Sequence, residues 1–402
     1  MHDSRPLVAV FQMAKEPIGG VQRVLATVLP QLLAEFRIVV VDPYGQPEFA
    51  GRMRAAGLEV VTLGRGRKRR YVGGLGSALR PFYVLWSAPW LLLTLWRFWR
   101  WVRQHRPAVV YFAQISAARV FVHGITCRGI GLVYHEHGVR PAAEIGRRTS
   151  RLFSHRFHRV LAVSHRAAQG LIEAGTDPAL IRVVYNAVDA AAVRQAARQP
   201  PGPLPDRPPG SVVFVHVASL TRHPKAPHLG IKALGQLPRD AGAQLWVCGD
   251  VPTGGDRSYL DEMRSRVREL GLEGRVHFLG WRNDVPAVLA AADVCILPST
   301  SESFGMVLAE AMALGKPCIG SDVGGIPEVV EDGVTGLICE PTGESLARTM
   351  RCMLESAERR RAMGEAGRQR VEELFSLPRQ AEGFADAFRY AIAAARGTEP
   401  PQ

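Results

Sequence analysis

Short apolar runs alternate with helical segments along most of this 402-residue sequence. In the first half the strand-like runs are Leu7–Phe11, Ile38–Val41, Glu59–Leu63, Val109–Phe112, Gly131–Tyr134 and Arg159–Val163. In the second half they are Ser211–Val217, Gln244–Cys248, Arg275–Leu279, Val294–Leu297 and Pro317–Gly320. Alternating β and α elements are typical of parallel, doubly wound sheets, and the length allows two domains.

A proline-rich stretch, residues 199–210, separates the two series and predicts a linker or an exposed loop. Two α/β series of similar size predict two Rossmann-like domains that face a cleft. We place the N-terminal domain at 1–187 and the second domain at 188–376. Residues 377–402 then form a helix, expected to pack back on the N-terminal domain, and a tail.

The charge of the chain is concentrated in its first half. Residues 1–187 hold 26 Lys and Arg against 10 Asp and Glu, a net charge of +16, whereas residues 188–402 hold 24 against 27, a net charge of −3. This asymmetry implies a large anionic partner for the first half. A basic composition without a binding role is the alternative, but it would spread over both halves. No nucleic-acid-binding motif is evident, so nucleic acid is not the expected partner.

Tryptophan and arginine cluster before residue 105. The basic cluster Arg65–Arg70 leads into residues 81–103, which contain five of the seven tryptophans. The apolar part, Phe82–Leu95, is short for a bilayer span and is interrupted by Pro89. Trp, Leu and Arg together suit the headgroup region, so we predict docking on an anionic membrane surface. A buried helix with snorkelling arginines and a true span are the alternatives.

Two further features bear on the compartment. No secretory signal is apparent at the N-terminus, and none of the six cysteines forms a C-x-x-C pair. We expect reduced thiols and a cytoplasmic protein, peripheral on the inner face of the membrane.

The stretch from Pro298 to Met312 follows an apolar run and opens a helix. Its two carboxylates, Glu302 and Glu310, flank a turn of small residues. We expect the hydroxyls of residues 299–301 to cap the helix, and the backbone amides of Phe304, Gly305 and Met306 to face a nucleotide diphosphate. Glu310 is then placed to accept the hydroxyls of a ribose, and Glu302 to reach the sugar. The alternative is a pair of exposed glutamates without a ligand.

A second glycine turn, Gly19-Gly20, lies between a strand-like run and a helix in the first half. Its backbone amides can approach a phosphate or a sugar closely, although a plain loop is an equal alternative. The pair His135-x-His137 with Glu136 has the look of a metal site, but no further ligand cluster accompanies it, so no metal is expected.

The spacing of Glu302 and Glu310 resembles the E-x7-E signature of the retaining glycosyltransferases of family 4, which have the GT-B fold. The other segments that match the family's motifs are Tyr185–Asp189, Cys248–Asp250, Leu279–Val285, Ala292–Val294, Pro298-Ser299, Gly315–Pro317, Gly324–Glu328 and Asp332–Gly336. The resemblance is dense over residues 180–340 and looser over 1–140. It implies an acceptor-side first domain and a second domain that binds the nucleotide sugar.

The resemblance also implies roles for particular residues. Lys225 matches the family's lysine at the donor diphosphate, whereas Ser219 stands where the family has an arginine, and Arg222 is the nearest replacement. His137 with Gly138 matches the family's His-Gly near the donor sugar, and His135 is the second choice. A purely structural histidine and a solvated loop lysine are the alternatives.

The expected reaction is retaining, metal-independent transfer of a hexosyl group from a UDP- or GDP-sugar to a hydroxyl acceptor. The expected acceptor is a glycan or lipid-linked precursor of a cell-surface polysaccharide or lipopolysaccharide. Neither a metal nor another cofactor is expected. The alternatives are a GT-B type nucleotide-sugar epimerase and a non-catalytic protein that binds sugar nucleotides.

Overall fold

The computed structural model describes residues 3–13, 19–64, 80–252 and 255–399. The predicted basic cluster Arg65–Arg70 lies outside these ranges. The chain divides into two compact units. The first consists of Met1–Val163, Ala168–Val184 and Gln380–Gln402, and the second of Ser164–Ala167 and Tyr185–Arg379. The main boundaries between the units therefore fall between residues 184 and 185 and between residues 379 and 380. The boundaries predicted from the sequence fall between residues 187 and 188 and between residues 376 and 377.

Among the described residues, the first unit contains a seven-stranded parallel sheet with the order β3-β2-β1-β4-β5-β6-β7. Its strands are β1 Leu7–Phe11, β2 Arg37–Asp42, β3 Glu59–Thr62, β4 Val109–Phe112, β5 Gly131–Glu136, β6 Arg159–Ala162 and β7 Ile181–Val183. The central strands are apolar throughout, as expected for strands that are buried on both faces.

The described part of the second unit contains a six-stranded parallel sheet with the order β10-β9-β8-β11-β12-β13. Its strands are β8 Val212–Val217, β9 Ala243–Cys248, β10 Val276–Gly280, β11 Val294–Leu297, β12 Cys318–Ser321 and β13 Gly336–Cys339. The two parallel sheets confirm the prediction of two doubly wound, Rossmann-like domains.

Helices follow most strands along the chain. They are α1 Gly20–Val28, α2 Pro47–Ala55, α3 Arg80–His105, α4 Ile115–Phe121, α5 Ala142–Ile145, α6 Arg147–Arg156, α7 His165–Glu173, α8 Ala190–Ala197, α9 Pro227–Gly235, α10 Ser258–Glu269, α11 Val285–Ala291, α12 Met306–Ala313, α13 Ile326–Val329, α14 Gly343–Glu355, α15 Ala357–Leu374 and α16 Leu377–Arg396. Short 3-10 turns are Leu29–Leu32, Val122–Gly124 and Pro178–Leu180.

The C-terminal helix α16 completes the core of the first unit. Phe384 and Phe388 are fully buried, and their rings lie 5.6 and 6.0 Å from the ring of Tyr111 on β4. On the polar side of α16, the guanidinium of Arg389 donates two hydrogen bonds of 2.8 Å to the carboxylate of Glu35. The apolar residues of α16 recur at helical spacing because this face packs against the sheet.

Helix α3 is a 26-residue helix with Pro89 inside it. Phe98 and Val102 are buried in the first unit, whereas Trp90 and Trp96 are each 53% exposed. Within the described ranges, no helix is long and apolar enough to cross a bilayer. Helix α3 thus has one face in the core of the first unit and another face with exposed indoles. Docking of this face on a membrane stays a prediction.

Candidate active site

The loops that carry the predicted donor-site residues leave neighbouring strands of the second unit. Strands β8 and β11 are neighbours in this sheet. From β8 the chain continues to β9 on one side, and from β11 it continues to β12 on the other side, so the two connections run in opposite directions. In open α/β sheets, ligands bind outside the carboxyl ends of the strands at such a switch point. Residues 218–226 follow β8 and residues 298–305 follow β11, so both loops lie at this position.

Several contacts join the two loops. The Thr300 amide donates a 2.8 Å hydrogen bond to the carbonyl oxygen of Pro224, and the Thr300 Oγ1 atom lies 3.1 Å from His223 Nδ1. The Lys225 ammonium forms an ion pair with the Glu302 carboxylate. Both charged side chains are half-buried, which strengthens their attraction relative to a pair in open water. The structure thus brings together two of the predicted site residues, Lys225 and Glu302.

The backbone of Glu302 rests on a pair of glycines. The Gly325 amide donates a 2.9 Å hydrogen bond to the Glu302 carbonyl oxygen. A Cβ atom on Gly324 would lie 1.7 Å from that oxygen, and one on Gly325 would lie 2.2 Å from the Ser303 oxygen. Gly324 also has a φ of +55°, which L side chains rarely adopt. The Gly-Gly segment is therefore required for the close approach that places Glu302.

Helix α12 begins at Met306, and its N-cap is Gly305 with a φ of +96°. The prediction that the hydroxyls of residues 299–301 cap this helix is wrong, because no side chain caps it and Ser299 is fully buried. The physical reason is that four further residues separate Ser301 from the first helical turn. The Leu308 amide donates to the Gly305 carbonyl oxygen at 2.9 Å. Helix geometry leaves the amides of Met306 and Val307 without an intrahelical acceptor, so these two can serve an anion.

Two other predicted donor residues lie on either side of this helix start. Phe304 has a side chain that is only 1% exposed and packs against Phe375, with the ring centroids 5.2 Å apart. Only its backbone can therefore face a ligand. Glu310 is half-buried in the second turn of α12. Its role at a ribose stays a prediction.

Arg222 lies in the same loop as Lys225 but contacts other residues. Its guanidinium pairs with the Glu262 carboxylate and lies 4.8 Å from the centre of the Tyr259 ring. Arg222 is exposed and already paired with Glu262. To replace the arginine missing at Ser219, it must therefore leave Glu262 and bind the diphosphate instead. That role stays a prediction.

In the first unit, His137 directly follows strand β5 and lies next to His135, with the ring centroids 4.0 Å apart. The Tyr111 hydroxyl from β4 is 2.8 Å from His135 Nδ1 and 3.4 Å from His137 Nε2. Burial lowers the pKa of His137 to about 3 and lowers the pKa of His135 well below its usual range. Both imidazoles are therefore neutral near pH 7, which suits hydrogen bonding to a sugar hydroxyl.

The turn that carries His137 is held by Glu136, which is 2% exposed. Its carboxylate accepts hydrogen bonds from the Tyr134 hydroxyl at 2.7 Å, from the Gly138 amide at 2.8 Å and from Arg140 Nε at 3.2 Å. Glu136 thus has a structural role in fixing the His-Gly turn. Among the described residues, no three His, Cys, Asp or Glu side chains come together as a potential metal site.

Tyr111 and the positioning role of Glu136 are not predicted from the sequence. A usable signal existed for Glu136, since a carboxylate between two histidines at a strand end is rarely left unpaired when buried. Tyr111 gave none, because only the pairing of β4 with β5 brings it to His135.

The second glycine turn is found at the start of α1. Gly19 is the N-cap of this helix, and its amide donates a 3.0 Å hydrogen bond to the side-chain oxygen of Gln22. That amide is therefore occupied, whereas a Cβ on Gly20 would meet no atom within 4 Å. Contact of Gly19 and Gly20 with the donor stays a prediction.

Comparisons with known proteins agree with this arrangement. The family model described as "Glycosyl transferases group 1" matches residues 205–370, and "Glycosyltransferase Family 4" matches residues 18–192. The chain is 36% identical over 165 residues to N-acetyl-alpha-D-glucosaminyl L-malate synthase of Bacillus anthracis. The aligned segment covers 40% of this chain and 41% of that protein. It is 37% identical over 164 residues to D-inositol 3-phosphate glycosyltransferase of Mycobacterium marinum, and this alignment covers 40% of this chain and 34% of that protein. The aligned part is thus less than half of each relative.

A similar solved structure is that of Anabaena HepE in complex with UDP, with a TM-score of 0.76 over 95% of this chain and 98% of that chain. At 22% identity, this likeness concerns the fold alone. It confirms the predicted GT-B architecture of the two parallel-sheet domains. From the two family models, the switch-point loops of the second unit and this fold, we conclude that the chain belongs to the family 4 glycosyltransferases of the GT-B fold.

Proposed function

We propose that this chain transfers a glycosyl group from a nucleotide sugar to a hydroxyl acceptor, with retention at the anomeric carbon. The observation that carries the proposal is the Lys225–Glu302 pair, held at the switch point beside the glycine-capped start of α12. A fixed cation and free helix amides are what a departing nucleoside diphosphate needs, because negative charge develops on it in the transition state.

The donor is a nucleotide sugar in this proposal. HepE has been solved with UDP and with UDP-glucose, which supports a uridine diphosphate sugar among the candidates. The diphosphate binds at the amides of Gly305 and Met306 and at Lys225. Glu310 takes the ribose hydroxyls, and the sugar lies towards Glu302. Because Lys225 supplies the positive charge, the reaction requires no divalent metal.

The transfer breaks the bond between the anomeric carbon and the phosphate oxygen. The acceptor oxygen bonds to the same face of that carbon, and its proton passes to the departing phosphate oxygen. The Lys225 ammonium has three donors and contacts both Glu302 and the diphosphate. Glu302 orients the sugar hydroxyls rather than attacking the carbon. Neutral His137 donates or accepts a hydrogen bond to the sugar, and Tyr111 orients its ring.

The acceptor is a lipid-linked or cell-surface glycan precursor in this proposal, met at the inner face of the membrane. The exposed indoles of Trp90 and Trp96 and the nearby Arg100 support contact with anionic headgroups. Flotation with phosphatidylglycerol vesicles tests this surface: a Trp90→Ala, Trp96→Ala double variant is expected to float less. Equal flotation of variant and wild type would remove α3 from the membrane contact.

The transferase proposal is tested first by donor binding and then by turnover. A thermal-shift panel of UDP-, GDP- and ADP-glucose identifies the base, because a ligand that binds the folded state raises the unfolding temperature. We expect Lys225→Met to lower kcat/KM about 100- to 1,000-fold, the usual effect of removing one group that stabilises transition-state charge. Glu302→Ala is expected to lower the rate while keeping the affinity for the nucleoside diphosphate.

The matched control is Lys232→Met. Lys232 also pairs with a glutamate, Glu344, but on the exposed surface of the same unit. Loss of such a pair changes stability by less than about 1 kcal/mol, so the rate should be unchanged. Donor consumption without any acceptor would indicate an epimerase instead. Donor binding with no turnover, and no effect of Glu302→Ala, would indicate a non-catalytic binding protein.

A further inference from the structure

A groove of about 600 Å³ in the first unit has a basic lining. It lies between α6 on one side and α4 with the following turn, Val122–Gly124, on the other. Its basic lining residues are Arg119, His123, Arg148, Arg151, His155 and Arg156. No carboxylate belongs to the lining. His155 and Arg156 end α6, four and three residues before β6 begins at Arg159, so the groove lies towards the amino end of that strand. His137, by contrast, lies beyond the carboxyl end of β5.

Two of the arginines are held in place by backbone carbonyl groups. Arg119 Nη2 donates to the carbonyl oxygens of Glu144 and Ile145 at 3.0 and 2.7 Å. Arg156 Nη2 donates to those of Val122 and Ile125 at 3.1 and 2.8 Å. These hydrogen bonds fix the guanidinium groups without neutralising them, so their positive charge remains available to a ligand.

The other side of the groove is an exposed basic stripe along α6. Arg148, Arg151 and His155 recur at helical spacing and are exposed. Within the described residues, neither arginine has a carboxylate at ion-pair distance. Like charges one turn apart on a helix destabilise it. In α15, by contrast, Arg368 is paired with Glu365 and Glu372. An anion in the groove would relieve this repulsion.

The groove also adjoins the tryptophan face of α3. The Trp99 indole donates a 2.9 Å hydrogen bond to the Phe121 carbonyl oxygen, and a Cβ on Gly124 would overlap its ring. The turn at Val122–Gly124 is thus packed on Trp99, while Trp96 and Trp99 line a smaller cleft of α3 with Arg100 and Arg103. Trp99 therefore packs against the turn that lines the groove and also lines a second cleft with basic residues on α3.

We propose that the groove between α4 and α6 binds a phosphate-bearing anion, at a site separate from the donor and sugar residues. Guanidinium groups recognise phosphate oxygens through paired hydrogen bonds, and a groove of this volume admits a diphosphate or a phospholipid headgroup. The shared chemistry is a phosphate ester or diphosphate, supplied by an anionic lipid or by a soluble phosphorylated compound.

The test uses the full chain and an Arg148→Glu, Arg151→Glu double variant. The control is Arg348→Glu, Arg351→Glu, because these two exposed arginines have the same spacing on α14 in the other unit. The probes are inorganic pyrophosphate, by isothermal titration calorimetry, and phosphatidylglycerol–phosphatidylcholine vesicles, by flotation. Thermal unfolding of each variant confirms that it is folded.

We expect the groove variant to bind the anionic probe at least about 25-fold more weakly, since each of the two arginines near an anionic surface contributes about fivefold in affinity. The control should bind as the wild type does. Binding of vesicles alone assigns the lipid source, and binding of pyrophosphate alone assigns the soluble source. Failure of the wild type to bind either probe, or equal loss in both variants, would overturn the proposal. Binding of UDP-glucose should be unchanged in the groove variant, so the outcome is independent of the transferase proposal.

Discussion

Replacement of Gly324 by alanine should displace Glu302 without touching its side chain. The new Cβ would lie 1.7 Å from the Glu302 carbonyl oxygen and 2.8 Å from its carbon. Ordinary contact begins at 3.4 Å, so the two backbones must separate by 1.7 Å (3.4 minus 1.7). The neighbouring atoms are backbone, so no side chain can rotate away to absorb the overlap.

The size of this displacement sets the expected loss of activity. A misplacement of about 1 Å in a reacting geometry can cost about 100-fold in rate. We therefore expect Gly324→Ala to lower kcat/KM at least about 100-fold, equivalent to about 2.7 kcal/mol of transition-state stabilisation. The assay follows release of the nucleoside diphosphate from the donor that the thermal-shift panel identifies.

Gly333→Ala is the matched control for this variant. Gly333 has a similar φ of +75°, but a Cβ there would meet no atom within 4 Å. Both variants carry the cost of a left-handed alanine, about 1–2 kcal/mol, and only Gly324→Ala carries the overlap at Glu302. Thermal unfolding separates loss of folding from loss of activity. If the folded Gly324→Ala protein were as active as Gly333→Ala, the Gly-Gly segment would not position Glu302.

Two further predictions concern the histidine pair. Tyr111→Phe removes the hydroxyl that contacts His135 Nδ1, and we expect urea denaturation to show a loss of about 1–3 kcal/mol because a buried polar atom is left unpaired; an unchanged free energy of unfolding would contradict the hydrogen bond. The second prediction concerns the dependence of stability on pH. Burial holds the pKa of His137 at about 3 and the pKa of His135 well below its usual range. In the unfolded chain, a histidine has a pKa near 6.5. The unfolded state alone takes up these protons as the pH falls below about 6.5, so the free energy of unfolding should drop by up to about 1.4 kcal/mol per pH unit for each histidine. A His135→Gln, His137→Gln variant should show a shallower dependence, and an equally steep one would refute the neutral pair.

The secondary structure around the predicted site follows from residues close in the chain, whereas the contacts that bring the site residues together depend on strand pairing. The strand before Glu302 and the helix after it were evident from apolar runs and periodicity. The capping role of residues 299–301 was wrong, because four further residues separate Ser301 from the start of the helix at Met306 and Ser299 is fully buried. Nothing in the local pattern distinguishes a buried Ser299 from a capping serine.

Arg222 illustrates the same limit. The sequence places it three residues from Lys225, and either side chain suits a phosphate. The structure directs Lys225 to Glu302 and Arg222 to Glu262 on the neighbouring helix α10. Which of two cations faces a site depends on the direction of the loop, and that direction follows from contacts with residues distant in the chain.

The sequence by itself determined the alternation of strands and helices, the division into two α/β series and the order of the motifs. Each of these depends on local periodicity or on short spacings, which a linear pattern contains. The tertiary structure alone decided that Lys225 meets Glu302, 77 residues away, and that Tyr111 meets His135. Those meetings require β8 beside β11 and β4 beside β5. Strand order follows from how the whole core packs, so no short segment of the sequence specifies it.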